Sequence, residues 1–112
     1  MRVWDFQVEQ LCDKHLVAEH REVHVIWAIL TGDKKGWRKH PEVKRWEGHL
    51  PALRNRHTAQ VTEFGKRGLY HFSPIPDTIL VDGSSEWPKG WETLAAQAKN
   101  LKGKKCKCQI DR

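Results

Sequence analysis

Apolar residues recur at helical spacing in three stretches of the chain. From Asp13 to about Thr31, Leu16, Val23, Ile26 and Leu30 fall on one face, and Glu19 interrupts that stripe. Asp13 fits an N-cap and Gly32 a stop. From about Leu50 to Lys66, the residues Leu50, Leu53, His57, Val61 and Phe64 make a second stripe. Pro51 is tolerated only in a first turn, so that helix begins near it, and Gly68 ends it. A third helix is predicted from about Gly90 to Leu101, with Trp91, Leu94, Ala95, Ala98 and Leu101 sharing a face. Residues 1–7 are too short and mixed for a helix and read as an arm laid over the fold by Trp4 and Phe6. Val8 to Cys12 allows a short helical turn. Residues 69–89 carry the loop signals Ser73-Pro74, Ile75-Pro76-Asp77 and Asp82-Gly83-Ser84-Ser85, with Tyr70, Phe72 and Ile79-Leu80-Val81 as anchors. The expectation is an all-α fold. It is a single compact domain over residues 1–112, with about three helices, long connections, an N-terminal arm and a mobile basic tail from residue 103.

Length changes this picture little: 112 residues make one domain with one modest core. Charge changes it more. The chain is 30% charged with a net charge of +6, which favours polyanions. Six of its cations, Lys34, Lys35, Arg38, Lys39, Lys44 and Arg45, fall in one short stretch with Trp37 and Trp46 among them. Cations there can neutralise phosphates and an aromatic can stack on a base, which points to nucleic acid. The alternative is a solvated loop whose tryptophans reach back into the core. That alternative is preferred for Trp46, and Trp37 admits either reading.

No run of 18 apolar residues spans a membrane, and Met1-Arg2-Val3-Trp4-Asp5 does not open a secretory signal. The expected setting is the cytoplasm, at the nucleoid if the source is bacterial or phage, and the expected state is a monomer. Three cysteines argue against a disulfide framework. Cys106-x-Cys108 has the look of a metal motif, but tetrahedral zinc takes four ligands and only Cys12 remains to join it. Histidines could complete a set, yet no spacing demands it, so no metal and no cofactor are expected. His57, inside an apolar stripe, reads as a hydrogen-bonded core residue.

The densest chemistry lies in His15-Leu16-Val17-Ala18-Glu19-His20-Arg21-Glu22. His15 and Glu22 are seven apart and stack beside the apolar stripe. Groups so close to a packed face are partly desolvated, and are either paired for structure or kept for chemistry. Glu19, within the stripe, reads as the partner of an arginine, with Arg2 a candidate. Glu22 has Val25 and Ile26 where a helical surface carboxylate would have basic neighbours.

Leu16 to Glu22 resembles the Leu-x-Ala-Glu-x-Arg-Glu signature of the phage-type pyrimidine-dimer DNA glycosylases and abasic-site lyases. Asp13, Leu50-Pro51-Ala52-Leu53-Arg54-Asn55-Arg56-His57 and Lys66-Arg67-Gly68 add to the likeness, which covers roughly residues 1–72. Met1-Arg2-Val3-Trp4-Asp5 resembles the opening of small bacterial members. Two departures are visible: Val25, beside His24, stands where the phage enzymes have a further arginine, and Lys104-Lys105-Cys106-Lys107-Cys108 stands in place of their aromatic and basic tail. His20 stands where they have tyrosine.

The resemblance implies a bifunctional, metal-independent glycosylase and β-elimination lyase acting on damaged or modified pyrimidines in double-stranded DNA. Its nucleophile would be the α-amine of the first residue, here Met1, with Glu22 the catalytic carboxylate. An α-amine near pKa ~8 is roughly a tenth neutral at pH 7, far more than a lysine. Counting back from the Glu22 motif puts Met1 and Arg2 in the places of the family's terminal threonine and its following arginine. A bulky Arg2 would block removal of the methionine. Arg2, His15 and Arg21 would contact DNA beside the six basic-stretch residues, with Arg21 on phosphate and His15 on the sugar or orienting Glu22. The rival class is a non-catalytic nucleic-acid-binding protein with the same fold.

Overall fold

A computed structural model describes residues 2–32, 39–69, 83–102 and 108. Among them are a 3-10 turn at Val8–Gln10 and four α-helices: α1 (Asp13–Leu30), α2 (Pro41–Trp46), α3 (Leu50–Arg67) and α4 (Leu94–Lys102). No strand occurs among the described residues; the isolated bridge there joins His49 to Gly83. No helix among them is long and apolar enough to cross a membrane. The chain is therefore all-α, as its periodicity predicts. The anchors placed at Tyr70, Phe72 and Ile79-Leu80-Val81, Trp37, and the tail apart from Cys108 lie outside the described residues.

The boundaries of α1 and α3 follow local chemistry. Cys12, in extended conformation, is the N-cap of α1, so Asp13 is the first helical residue and not the cap. Gly68 closes α3 in the left-handed conformation at φ 74°, and Leu69 N–H reaches back to Phe64 O at 2.8 Å, the double closure that glycine permits.

Two elements differ from the sequence reading. Residues 41–46, read as part of a basic loop, form α2. Its start has a clear cause: the His40 ring accepts from Glu42 N–H, and Pro41 fits the first turn. Six residues are too few to show a period. The last helix begins at Leu94, where the Thr93 hydroxyl accepts from Ala96 N–H, and not at Gly90. Its buried face is Gln97, Ala98 and Leu101, whereas Trp91 and Leu94 are 48% and 55% exposed.

Two apolar clusters make the core. One joins Val3 of the arm to Val23, Ile26, Trp27 and Ile29 of α1, Val43 and Trp46 of α2, and Ala52 and Leu53 of α3. The other joins Trp4, Val8, Leu11 and Leu16 to Phe64 of α3 and to Ala98 and Leu101 of α4. Early α1 thus meets late α3, so the two long helices pack antiparallel. Trp46 is fully buried, as the core reading of that residue has it. In α1, Trp27 and Ile29 are buried while Leu30 is only partly so.

Between the clusters lies a polar layer. Glu19 accepts from Arg56 Nε at 2.9 Å, Arg56 Nη2 at 3.0 Å, Gln60 Nε2 at 2.6 Å and the Trp4 backbone N–H at 2.7 Å. Arg56 also donates to the carbonyls of Trp4 and Phe6, so the pair clamps the arm by its backbone. Glu19 does pair with an arginine, but with Arg56; Arg2 pairs with Glu92. At the far end of α3, burial opposes the charge of Arg67, but its bonds to Glu63 and Asp13 outweigh that cost and raise its pKa.

Removing one partner of a buried pair strands the other charge. Arg56→Met is therefore expected to cost about 3–5 kcal/mol of unfolding free energy. Urea denaturation checks this, and a loss below about 1 kcal/mol would mean the arm is held mainly by Val3 and Trp4 packing.

Candidate active site and nucleic-acid interface

The motif residues are distributed around α1. Glu19 faces inward, Glu22 one turn later is half-buried, and Arg21 is exposed. The Glu22 side chain has no ion pair or hydrogen bond with the described residues. Thus the two carboxylates separate into a structural one inside the polar layer and one that keeps its acceptor capacity.

Next to the chain start, the Arg2 guanidinium lies 4.6 Å from the Trp4 ring centroid and 4.5 Å from that of Trp91, and it bonds to Glu92. Arg2 was expected at DNA; the structure instead places it in this sandwich, which ties the arm to the segment before α4. Planar guanidinium suits such stacking. Trp91, exposed on one side, donates its indole N–H to Glu42 at 2.6 Å.

The basic stretch divides. Lys39 and Lys44 are exposed, as phosphate contacts must be. Arg45 is not: its side chain is 2% exposed. It bonds to Asp5, to Glu42 at 2.9 Å and to the Val3 carbonyl at 3.0 Å. The structure places Arg45 inside the fold and not in solvent with Lys39 and Lys44. The cause is α2, which turns Arg45 towards the arm and Lys44 away from it. Met1, Lys34, Lys35 and Arg38 lie outside the described residues.

His15 also departs from its expected place. It is buried, and its Nδ1 lies 3.3 Å from Cys12 Sγ and 3.2 Å from Cys108 Sγ. Cys12 N–H donates to Cys108 Sγ at 3.1 Å. These three residues bring potential metal ligands within 4.8 Å of one another. Spacing alone gave the cysteines no further partner. The signal was available all the same, because His15 follows Cys12 by one helical turn.

A second group combines α1 and α3. His20 Nε2 lies 3.1 Å from His24 Nε2, which lies 3.2 Å from His57 Nε2. His20 and His57 are buried, so His57 is a core residue, but one placed within a second possible ligand set. Periodicity does not reveal this group, because α3 residues enter it only when the helices pack antiparallel. Arg56 and Gln60 were missed as well. A charge inside each apolar stripe, Glu19 in one and Arg56 beside the other, was the available sign that the two helices share a buried pair.

The stretch that holds the arm, the Glu22 motif and α3 matches a known family. A family model described as pyrimidine dimer DNA glycosylase matches residues 1–76. The chain belongs to the pyrimidine dimer DNA glycosylase family, a class of enzyme that acts on DNA. Comparison with curated proteins and with solved structures gives no match.

The two kinds of basic residue should separate in binding assays. Lys39→Gln with Lys44→Gln is expected to flatten the slope of log K against log salt for duplex DNA by roughly one to two units. Arg45→Gln is expected to leave the slope unchanged while lowering the unfolding midpoint. A slope change of a full unit for Arg45→Gln would put its guanidinium on a phosphate.

Proposed function

We propose that the protein excises damaged or modified pyrimidines from double-stranded DNA and cleaves the resulting abasic strand, with the α-amine of Met1 as nucleophile and Glu22 as the catalytic carboxylate. The observation that carries this reading is Glu22 itself, half-buried one turn beyond the residue that holds the arm, and without a hydrogen bond or ion pair to the described residues. Chain length supports the pairing. The Trp4 N–H is bonded to Glu19, three residues span roughly 10 Å at most, and Glu22 lies about 4.5 Å further along the helix axis.

In the first step the neutral amine attacks C1′ of the deoxyribose, and the glycosidic bond breaks with its electron pair leaving on the base. The aminal opens to an imine between the terminal nitrogen and C1′. Glu22 stabilises the cationic sugar and then takes the C2′ proton, and the 3′-phosphate departs by β-elimination. Hydrolysis of the imine restores the amine. These steps require an amine, a carboxylate and water, and no metal. Arg21, exposed on the same helix, would hold a flanking phosphate.

Borohydride added during reaction with abasic duplex should reduce the imine to a stable cross-link, located on the N-terminal peptide by mass spectrometry. Acetylating the terminus should abolish it, since an amide nitrogen has no available lone pair. Glu22→Gln should lose strand cleavage while retaining DNA affinity. A cross-link on an internal peptide such as that of Lys14, surviving acetylation, would replace the nucleophile. Absence of any cross-link would leave a DNA-binding protein without turnover.

A further inference from the structure

We propose that His20, His24 and His57 form a binding site for one zinc-class divalent metal ion, with the three Nε2 atoms as ligands. Zinc–nitrogen bonds of about 2.05 Å at tetrahedral angles put neighbouring nitrogens roughly 3.3 Å apart. The two Nε2 separations, 3.1 and 3.2 Å, are close to that edge length. His20 and His24 are one helical turn apart on α1, a spacing that turns two imidazoles to one side, and His57 meets them from α3.

The protonation pattern around the group favours an ion over a proton. Gln60 donates its amide N–H to Glu19 at 2.6 Å, so its oxygen is the atom 2.9 Å from His20 Nδ1. An amide oxygen only accepts, so His20 carries its proton on Nδ1, and neutral His20 then presents a lone pair at Nε2. His24 Nε2 lies against both His20 Nε2 and His57 Nε2. A single nitrogen holding one proton cannot give full hydrogen bonds to two lone pairs, whereas a metal accepts all three. The chain Arg56–Glu19–Gln60–His20 has the form of the outer shell that fixes a ligating imidazole.

The site is read on the full chain bearing Cys12→Ser and Cys108→Ser, so that thiols do not contribute. Chelator-treated protein titrated with Co²⁺ should take one equivalent, with the visible bands of nitrogen ligation and no thiolate charge transfer. His24→Gln should abolish it, and Gln60→Met should weaken it by 10- to 100-fold through loss of the His20 partner. Should these variants fail to fold, the unsubstituted chain still decides: Zn²⁺ should shift the Nε2 resonances of all three histidines in ¹⁵N spectra. Unmoved resonances, or cobalt binding unaffected by His24→Gln in a folded variant, would overturn the assignment. Neither readout depends on glycosylase or lyase activity.

A separate observation carries a second site. We infer that Cys12, His15 and Cys108 hold a zinc ion that fastens Cys108 to the start of α1. The donor set is two thiolates and an imidazole, which selects zinc over hard cations. Nitrogen–sulfur edges around zinc are roughly 3.6 Å, and those here are 3.2 and 3.3 Å. The Cys12 N–H on Cys108 Sγ adds a donor to a ligating sulfur. Cys106, another thiol by sequence, lies outside the described residues. Co²⁺ added to the reduced full chain should give thiolate charge-transfer absorption that Cys108→Ser greatly reduces, and chelator should lower Tm more for the parent than for Cys12→Ser/Cys108→Ser, which keeps only the histidine site. No charge-transfer band in reduced protein, or a Cys12–Cys108 disulfide in protein purified without oxidant, would overturn it.

Discussion

The ion pair between Glu19 and Arg56 is the contact on which the rest of this small fold depends. Four hydrogen bonds converge on one carboxylate, from Arg56 twice, Gln60 once and the arm backbone once. Burying two charges is costly, and it is tolerable here because the remaining lone pairs and protons are satisfied. The same pair separates the two apolar clusters, sets the register of α1 against α3 and fixes the backbone of residues 4–6. An all-apolar layer at that level would hold the helices together equally well. It would provide no directional donors for an extended arm, whose N–H and C=O groups otherwise need water.

Four arginines are used inward, while Arg21, Lys39 and Lys44 are exposed. Arg2, Arg45, Arg56 and Arg67 each bond to a carboxylate, and three of them also hold backbone carbonyls of the opening segment. Planar guanidinium can bridge several acceptors at once, which an ammonium cannot do with fixed geometry. Lys39 and Lys44 stay in solvent. The number of cations therefore overstates the cationic surface offered to DNA, because four arginines are paired with carboxylates within the fold.

Long periodic segments were legible in the sequence. Both stripes, the stop at Gly68 and the arm anchored by Trp4 follow from spacing and residue type. Short or non-periodic features were not. α2 is two turns set by His40 and Pro41, and the face of α4 is decided by Gln97 bonding to Asp5, far away in sequence. The site was legible in part. The split between Glu19 and Glu22 could be read from the apolar stripe. The burial of Arg45 and His15, and the meeting of His57 with His20 and His24, depend on tertiary packing, which no local pattern encodes.

The beginning and end of the described chain are knitted together: Arg2 bonds to Glu92, Asp5 to Gln97, and Cys12 to Cys108. These contacts close loops of 90, 92 and 96 residues, the costliest closures in chain entropy. The arm is nevertheless held from two sides, because α1 and α3 already fix the backbone of residues 4–6. The α4 side adds the last increment of order, at the side chains of Arg2 and Asp5. Local opening of that side would free the residues next to the candidate nucleophile while the clamp on the backbone stays closed.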